Sequence, residues 1–266
     1  MATIPEPRRK IYPARADPIR IVPLYHAGDA GQLTVEAAAA ALAPPQLSYR
    51  NGPLLTAVEV FTIFWGVPWQ QSQQPLVGQI NQFFDFILTS PLIAQLAEYS
   101  VPGKLIGHGS RVGTITITTP TPRHSVSDTA IQHLLQQEIS TNAAIPQPTP
   151  NSLYFVYLPP GVRAVQGGSA SCQAFCGYHS DISGAIFYAV VPYAGCTGCL
   201  GGLSTLDALT STSSHELCEA ITDPIPGRGW YDDANGEIGD ICAWKTKKVG
   251  QYTVQLEWSN RENKCL

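Results

Sequence analysis

The chain has 266 residues, which is enough for one large domain with its own apolar core. Charged residues make up only 14% of the chain and the formal net charge is -4, so the basic patch that nucleic-acid binding needs is missing. No apolar stretch reaches the roughly 18 residues of a membrane-spanning helix, and the first residues lack the apolar core of a signal peptide. We therefore expect no nucleic-acid partner and no membrane span.

The N-terminal part of the chain differs in composition from the rest. Residues 1–55 are rich in Pro and Ala, and their one helix-favouring run, Thr34–Ala43, ends at two prolines. We expect these residues to form an extended arm that packs along a catalytic domain of residues 56–266. The first strong strand signal is the β-branched and aromatic run Ala57–Gly66, which is expected at the centre of a sheet.

Helices and strands alternate along the rest of the chain. Apolar residues at helical spacing predict helices at Gln79–Leu88 and Ser127–Ile139, and a further helix begins at Pro91 after Ser90 as its N-cap. Period-two or fully apolar runs predict strands at Gly113–Thr118, Leu153–Leu158, Ala185–Val191 and Tyr252–Trp258, with a helix over about Thr205–Thr222 before the last of them. This order predicts an α+β fold with a mixed twisted sheet.

The segment Ser213–Pro224 carries metal-ligand spacing inside the last predicted helix. His215 and Glu219 are four residues apart, so their side chains project from one helix face about one turn apart. Glu216 would then point toward a metal-bound water, where a general base is needed. The pattern is the zinc-peptidase motif His-Glu-x-x-His with Glu in place of the second His. A polar helix face is the alternative explanation.

A second acidic segment follows the turn after this helix. Glu237 lies 18 positions after Glu219, which is close to the gap that lets a returning segment supply a third ligand. Asp240 lies three residues further on, and Tyr231 precedes both. An acidic turn beside Asn235 is the simpler explanation of the same residues.

Together these two segments resemble the thermolysin-like gluzincins, which carry a His-Glu-x-x-His-x-x-x-Asp helix, then a Tyr, then a Glu and an Asp. The corresponding run here is His-Glu-Leu-Cys-Glu-Ala-Ile-Thr-Asp, from His215 to Asp223. The resemblance implies a zincin-like fold with a metal-binding active-site helix. The roles it implies are ligands at His215, Glu219 and Glu237, a base at Glu216, an orienting or ligating carboxylate at Asp240, and an oxyanion donor at Tyr231.

The ligand set affects which metal is expected. One neutral His and two carboxylates make a divalent site formally neutral, so bound water should be less acidified than in a site with two His. Zn²⁺ is the expected ion, with Ca²⁺ or Mn²⁺ as alternatives that tolerate oxygen-rich ligands.

The seven cysteines help to predict whether the protein is secreted or intracellular. Cys172, Cys176, Cys196 and Cys199 form a cluster that could be a structural zinc site or two disulfides. The low charge and the abundance of Gly, Ser, Thr and Pro favour disulfides in a secreted protein. Two further cysteines, at 242 and 265, are expected to form a third bridge. Cys218 is left unpaired and is interpreted as a buried apolar side chain rather than a catalytic thiol.

The cysteine region carries a second resemblance. The segments Phe175–His179 and Gly195–Cys199 resemble the secreted EXORDIUM, or phosphate-induced, family of plants and its bacterial relatives. This implies an extracellular protein with disulfide-rich loops, and does not imply an activity. His179 lies in the first segment and has two interpretations, an oxyanion donor in the metal cleft or a structurally hydrogen-bonded His.

These observations predict a secreted metal-dependent hydrolase, most simply a zinc endopeptidase that acts on peptides or proteins. A non-catalytic extracellular module with a structural metal is the first alternative. A carbohydrate-active enzyme that uses paired carboxylates, for instance Glu216 and Asp240, is the second. The oligomeric state has no signal in the sequence.

Overall fold

The computed structural model describes residues 21–25 and 44–266. Its centre is a six-stranded mixed sheet with the order β1-β9-β10-β6-β3-β4, the strands being numbered along the chain. β9 runs antiparallel to both of its neighbours, while the pairs from β10 to β4 are parallel. The six strands are β1 (Ile21–Pro23), β9 (Phe175–Ile182), β10 (Ile186–Pro192), β6 (Ser152–Leu158), β3 (Glu59–Trp65) and β4 (Ser110–Ile117).

Both faces of this sheet are covered, because its central strands are apolar on both sides. In β6 all seven residues are buried, as expected for a strand in a covered parallel sheet. Alternate side chains enter two cores: Phe155 and Tyr157 belong to one, and Tyr154 and Val156 to the other. The expectation that the run beginning at Ala57 is central in the sheet is met by β3, which lies between β6 and β4.

In residues 44–266 of the structure, five α-helices flank the sheet. They are α1 (Gln74–Ile87), α2 (Pro91–Gln95), α3 (Asp128–Thr141), α4 (Thr197–Leu200) and α5 (Thr205–Thr222). The first core contains apolar residues of α1, α2 and α5, and the second core contains those of α3. Ser90 caps α2 as predicted, accepting a hydrogen bond from the Leu92 N–H at 3.2 Å.

Shorter elements join these layers, and some depart from the predictions. The predicted strand Tyr252–Trp258 is divided into β13 (Tyr252–Gln255) and β14 (Trp258–Ser259), and β9 lies where no strand was predicted. The other strands are β2 (Ser48–Tyr49), β5 (Ser125–Ser127), β7 (Arg163–Gln166), β8 (Ser169–Ala170), β11 (Trp230–Tyr231), β12 (Thr246–Val249) and β15 (Lys264–Cys265). The described part of the chain also has 3₁₀ helices at Val67–Gln70, Leu96–Tyr99 and Asp240–Cys242.

Part of the N-terminal arm contributes to the sheet. Ile21–Pro23 pairs antiparallel with β9, with Val22 opposite Gly177 and its side chain in the first core. The helix predicted at Thr34–Ala43 lies outside the described residues. The boundary between arm and domain at residue 56 stays a prediction.

Three disulfides are present, as predicted. Cys172–Cys196 and Cys176–Cys199 tie the start of β9 to the segment that leads into α5, and Cys242–Cys265 ties the second acidic segment to the chain end. Cys218 is free and buried, and burial raises the pKa of its thiol well above the ordinary value, which makes a thiolate nucleophile unfavourable. Among the described residues no helix is both long and apolar enough to cross a membrane.

Candidate metal centre

The helix α5 brings polar side chains into the protein interior. It begins after Ser204, whose hydroxyl accepts a hydrogen bond from the Asp207 N–H, and every residue from Ala208 to Thr222 is buried. His215, Glu216 and Glu219 are each 0% exposed. The local sequence forms a helix in spite of its many Ser and Thr residues because the sheet and β13 pack around it.

The first cluster, called the His215 group, consists of His215, Glu219 and Asp240. His215 Nε2 lies 2.9 Å from Glu219 Oε1 and 3.9 Å from Asp240 Oδ1. In spite of the short distance, His215 Nε2 forms no hydrogen bond with any described residue. The ligating atoms of the three residues lie within 4.8 Å of one another. His215 and Glu219 are close enough to form an ion pair, and the three groups together also have the spacing of the ligands of a cation.

The opposite nitrogen of His215 contacts a residue that the sequence analysis missed. The Gln255 side-chain amide lies 2.8 Å from His215 Nδ1 and donates to the Gly239 carbonyl at 2.8 Å. Its oxygen accepts from the Trp244 N–H at 3.3 Å, so both backbone contacts favour this orientation of the amide. The resemblance implied that Asp240 orients His215, but Asp240 approaches Nε2, so Gln255 holds the orienting position.

The backbone at Gly239 packs closely against the ring of His215. A Cβ atom on Gly239 would lie 2.7 Å from His215 Nδ1, so only glycine fits here without moving the ring. Gln255 could have been noticed as a polar residue in an apolar strand, since all four residues of β13 are buried. Its contact with His215 depends on the path of the chain between α5 and β13, which no local pattern encodes.

The second cluster, called the His179 group, consists of His179, Glu216 and Glu219. His179 Nδ1 lies 3.2 Å from Glu216 Oε2 and 3.4 Å from Glu219 Oε2. Its Nε2 lies 3.2 Å from the Asp223 carbonyl, and because a carbonyl only accepts, Nε2 carries the proton. His179 is 0% exposed on β9, so it lies in the site and not at the surface.

Glu237 lies at the opposite side of the His179 ring. Its Oε1 is 3.5 Å from His179 Nε2, and it is not among the residues whose ligating atoms converge with His215. Of the two candidates for the third ligand, the geometry therefore favours Asp240 over Glu237. The Asp223 carboxylate is satisfied by the backbone N–H groups of Gly227, Arg228 and Gly229.

Burial and the charges of neighbouring groups together shift the pKa values of His179, His215 and Glu219. Burial alone would lower the pKa of His179, but the hydrogen bonds and charges of Glu216 and Glu219 outweigh it and raise the pKa to about 10. Burial also opposes charge on His215, yet the charge of Glu219 raises its pKa well above the ordinary value. Burial would raise the pKa of Glu219, but both histidines lower it to about 2.

The other acids in the site show the opposite shift. Burial raises the pKa of Glu216 in spite of both histidines, and burial followed by the charge of Glu219 raises the pKa of Asp240 well above its ordinary value. Burial and the neighbouring carboxylates of Glu219, Asp223 and Asp240 do the same to Glu237. The site therefore holds more acidic groups than its two histidines can neutralise.

Buried polar atoms without partners test whether the site fits a cation. Such atoms are normally hydrogen-bonded in proteins, and each exception needs an explanation. Within the described part of the chain, five atoms of this site lack a hydrogen-bond partner: His215 Nε2, Glu216 Oε1, Glu219 Oε2, Glu237 Oε1 and Glu237 Oε2. One imidazole nitrogen and four carboxylate oxygens are ligand types that Zn²⁺ and Mn²⁺ accept, so the residues fit a divalent metal.

Tyr231 lies on the short strand β11, which pairs with β2. Its side chain is buried, and the Arg50 guanidinium lies over its ring at 4.6 Å. This contact fixes one face of the ring in place. The role of Tyr231 as an oxyanion donor stays a prediction.

Comparison with known protein families and with curated proteins gives no match for this chain. The two resemblances drawn from its motifs therefore stay hypotheses, and the geometry of the two clusters is the main support for a function.

Proposed function

We propose that this protein is a metal-dependent hydrolase in which the His215 group holds the metal and Glu216 acts as general base. One observation carries the proposal: α5 and the segment around Asp240 bring His215, Glu219 and Asp240 together in the interior, with an unpartnered nitrogen at the point where they converge. The arrangement agrees with the motif resemblance to the gluzincins, and it replaces Glu237 by Asp240 as the third ligand.

His215 Nε2, Glu219 Oε1 and Asp240 Oδ1 would hold the ion. A divalent ion there would polarise a substrate carbonyl and lower the pKa of a bound water, which are the two contributions that metal hydrolases use. Zn²⁺ is the proposed ion, and the oxygen-rich set keeps Mn²⁺ and Ca²⁺ as alternatives.

Glu216 and His179 supply the proton chemistry in this proposal. Glu216 lies next to His215 in the chain and has one free carboxylate oxygen, Oε1, with which it can take a proton from water. Its other oxygen contacts His179 Nδ1, which holds the carboxylate in one position. Glu216 then passes the proton to the leaving amine, and Tyr231 is the candidate donor to the developing oxyanion. Both ring nitrogens of His179 face protein groups, so its part in this proposal is to hold Glu216.

A peptide is the proposed substrate class because the strand next to the site pairs with an extended segment. Ile21–Pro23 of the chain itself lies antiparallel on β9, and this pairing supports a substrate with an extended peptide backbone. The position opposite Val22 is Gly177, where a Cβ atom would lie 3.0 Å from Glu216 Oε1. The extended segment on β9 and the proposed base are therefore adjacent. Three disulfides are compatible with the proposed secretion.

The experiment compares the wild-type chain with Glu216→Gln on a peptide library, after chelation and reloading with Zn²⁺. We expect Glu216→Gln to retain metal and to lose about 10²- to 10⁴-fold in rate, the usual contribution of a general base. Glu262→Gln, at an exposed position, is the matched control and should keep full activity. Full activity of Glu216→Gln would remove the base role.

A closed, structural metal centre is the second candidate, and the burial of the site favours it. His179, His215, Glu216, Glu219 and Glu237 are all 0% exposed. A structural site holds its metal without an open coordination position. If the reloaded wild type binds Zn²⁺ tightly and cleaves no peptide in the library, the structural function is the correct one.

A further inference from the structure

We propose that the protein has a second divalent-cation site, formed by His179 Nδ1, Glu216 and Glu219 Oε2, so that Glu219 bridges two cations. The sequence motif predicts only one metal and assigns His179 and Glu216 other roles. This inference rests on the proposed function only in taking Glu219 as a ligand of the first cation.

The shared residue makes the two clusters one connected site. Glu219 directs Oε1 toward His215 at 2.9 Å and Oε2 toward His179 at 3.4 Å. The ligating atoms of the His179 group also lie within 4.8 Å of one another, as those of the His215 group do. A carboxylate with one oxygen in each cluster is placed to bridge two metals about 3.5–4 Å apart, the separation of known two-metal sites.

The hydrogen bonding of His179 suits a metal ligand. Metal-binding histidines usually donate their other ring N–H to a carboxylate or a backbone carbonyl, which leaves the first nitrogen free for the metal. His179 Nε2 is positioned to donate to the Asp223 carbonyl, so in the neutral ring the lone pair of Nδ1 faces the two glutamates. The site thus provides the tautomer that ligation through Nδ1 requires.

Two unpartnered oxygens line the second site. Glu216 Oε1 and Glu219 Oε2 are fully buried and, among the described residues, have no hydrogen-bond partner. The proximity of Gly177 adds to this, because a side chain there would lie against Glu216. Oxygens left without donors in the interior are expensive unless a cation satisfies them.

The charge of the buried residues also favours two cations. Glu216, Glu219 and Asp240 are carboxylates in the two clusters, and Glu237 lies beside them. One divalent cation cannot balance these acids, whereas two would balance four carboxylates. A cation in the His179 group would also take Glu216 as a ligand, so excess cation is expected to slow hydrolysis by the wild-type chain.

The test counts bound cations without using activity. The full chain is stripped with a chelator and titrated with Zn²⁺, and the bound equivalents are counted by native mass spectrometry. We expect two equivalents for the wild type and one for His179→Gln. His133→Gln is the matched control, because His133 is exposed on α3, and it should keep two equivalents.

Loading with Mn²⁺ gives a second measurement that does not depend on the fold of a variant. Two Mn²⁺ ions that share the Glu219 carboxylate should be magnetically coupled, so the six-line electron paramagnetic resonance spectrum of isolated Mn²⁺ should broaden at the second equivalent. Saturation of the wild type at one equivalent, or two equivalents in His179→Gln, would overturn the second site. No bound cation at all would overturn the proposed function as well, so the two failures are distinguishable.

Discussion

The two ends of α5 carry similar acidic residues in different surroundings. At the N-terminal end, Asp207 accepts hydrogen bonds from Ser204, Thr253 and Lys248, three donors that the chain itself supplies. In the second half of the helix, Glu216 and Glu219 each keep a buried oxygen without a partner among the described residues. We interpret Asp207 as a residue that stabilises the fold, and Glu216 and Glu219 as residues placed to bind a ligand.

The physical reason for the difference is the cost of burial. Asp207 remains partly exposed, so water and an exposed lysine can share in stabilising its charge. Glu216 and Glu219 are inaccessible to water, and although histidines lie beside both, each keeps one buried oxygen without a donor among the described residues, which is unfavourable. Such an arrangement persists in a folded protein when a ligand stabilises the groups, which is why we assign the second half of α5 to metal binding.

The largest expected effect is on Glu219, which both clusters share. Glu219→Gln should lower cation affinity by more than about 100-fold, beyond the effect of losing an orienting partner. Cation at about 100 times its Kd should add about 2.7 kcal/mol to the free energy of unfolding of the wild type, and this gain should vanish in the variant. Chemical denaturation with and without Zn²⁺ measures it. Glu138→Gln on α3 is the control. If Zn²⁺ raises the free energy of unfolding of Glu219→Gln as much as that of the wild type, Glu219 is not a metal ligand.

The next effect concerns Gln255 behind His215. The Gln255 amide lies 2.8 Å from His215 Nδ1 and holds the ring in the orientation that directs Nε2 toward Glu219 and Asp240. Gln255→Leu removes this contact and should weaken cation binding by the His215 group by about 10- to 100-fold. Competition with a Zn²⁺ indicator measures the affinity, with the exposed Gln251→Leu as control. Equal affinities for the two variants would show that Gln255 does not orient His215.

A smaller effect is expected at the N-terminal end of the helix. Ser204→Ala removes the N-cap of α5 and should lower the free energy of unfolding by about 1 kcal/mol. Metal affinity should stay the same, because the cap lies more than two helical turns from His215. A parallel loss of Zn²⁺ binding would mean that the two ends of the helix are not independent.

The smallest effect should appear in the pH dependence of Asp207. Burial raises its pKa, but the hydrogen bonds from Thr253, Lys248 and Ser204 together outweigh this and lower the pKa below the ordinary value. A depressed folded-state pKa contributes stability above the unfolded-state pKa, about 3.9, and this is lost as the pH falls through the folded value. Asp207→Asn should therefore melt below the wild type at pH 7 and approach it at acidic pH. A difference that persists at pH 2 would have another origin.

Much of the fold followed from local patterns. The bounds of α5 and the N-cap of α2 were predicted correctly because helix periodicity and capping residues act within a few positions. β3 and β6 were found because they are long and almost wholly apolar. β9 was missed, since Phe175–Ile182 contains Gly, His, Ser and Asp, and this segment becomes a strand by pairing with β10 and β1.

The site was predictable in part for the same reason. His215 and Glu219 are four residues apart on one helix, so their spacing predicted that they share a face, with Glu216 at the next position round the helix. The approach of Asp240 to His215, and the placement of Glu237 beside His179, depend on how a separate segment returns to the helix. Chain-distant contacts of this kind are set by the packing of whole elements and leave no local signal.

By itself, the sequence predicted the helix that carries the acid and histidine motif, the Cys242–Cys265 bridge and the unpaired Cys218, while the connectivity of the other four cysteines came from the structure. Only the tertiary structure decided that His179 lies inside the site, that Gln255 holds His215, and that Glu219 faces two clusters at once. These arrangements arise where β9, α5 and β13 pack together, and the free energy of that packing depends on all three elements.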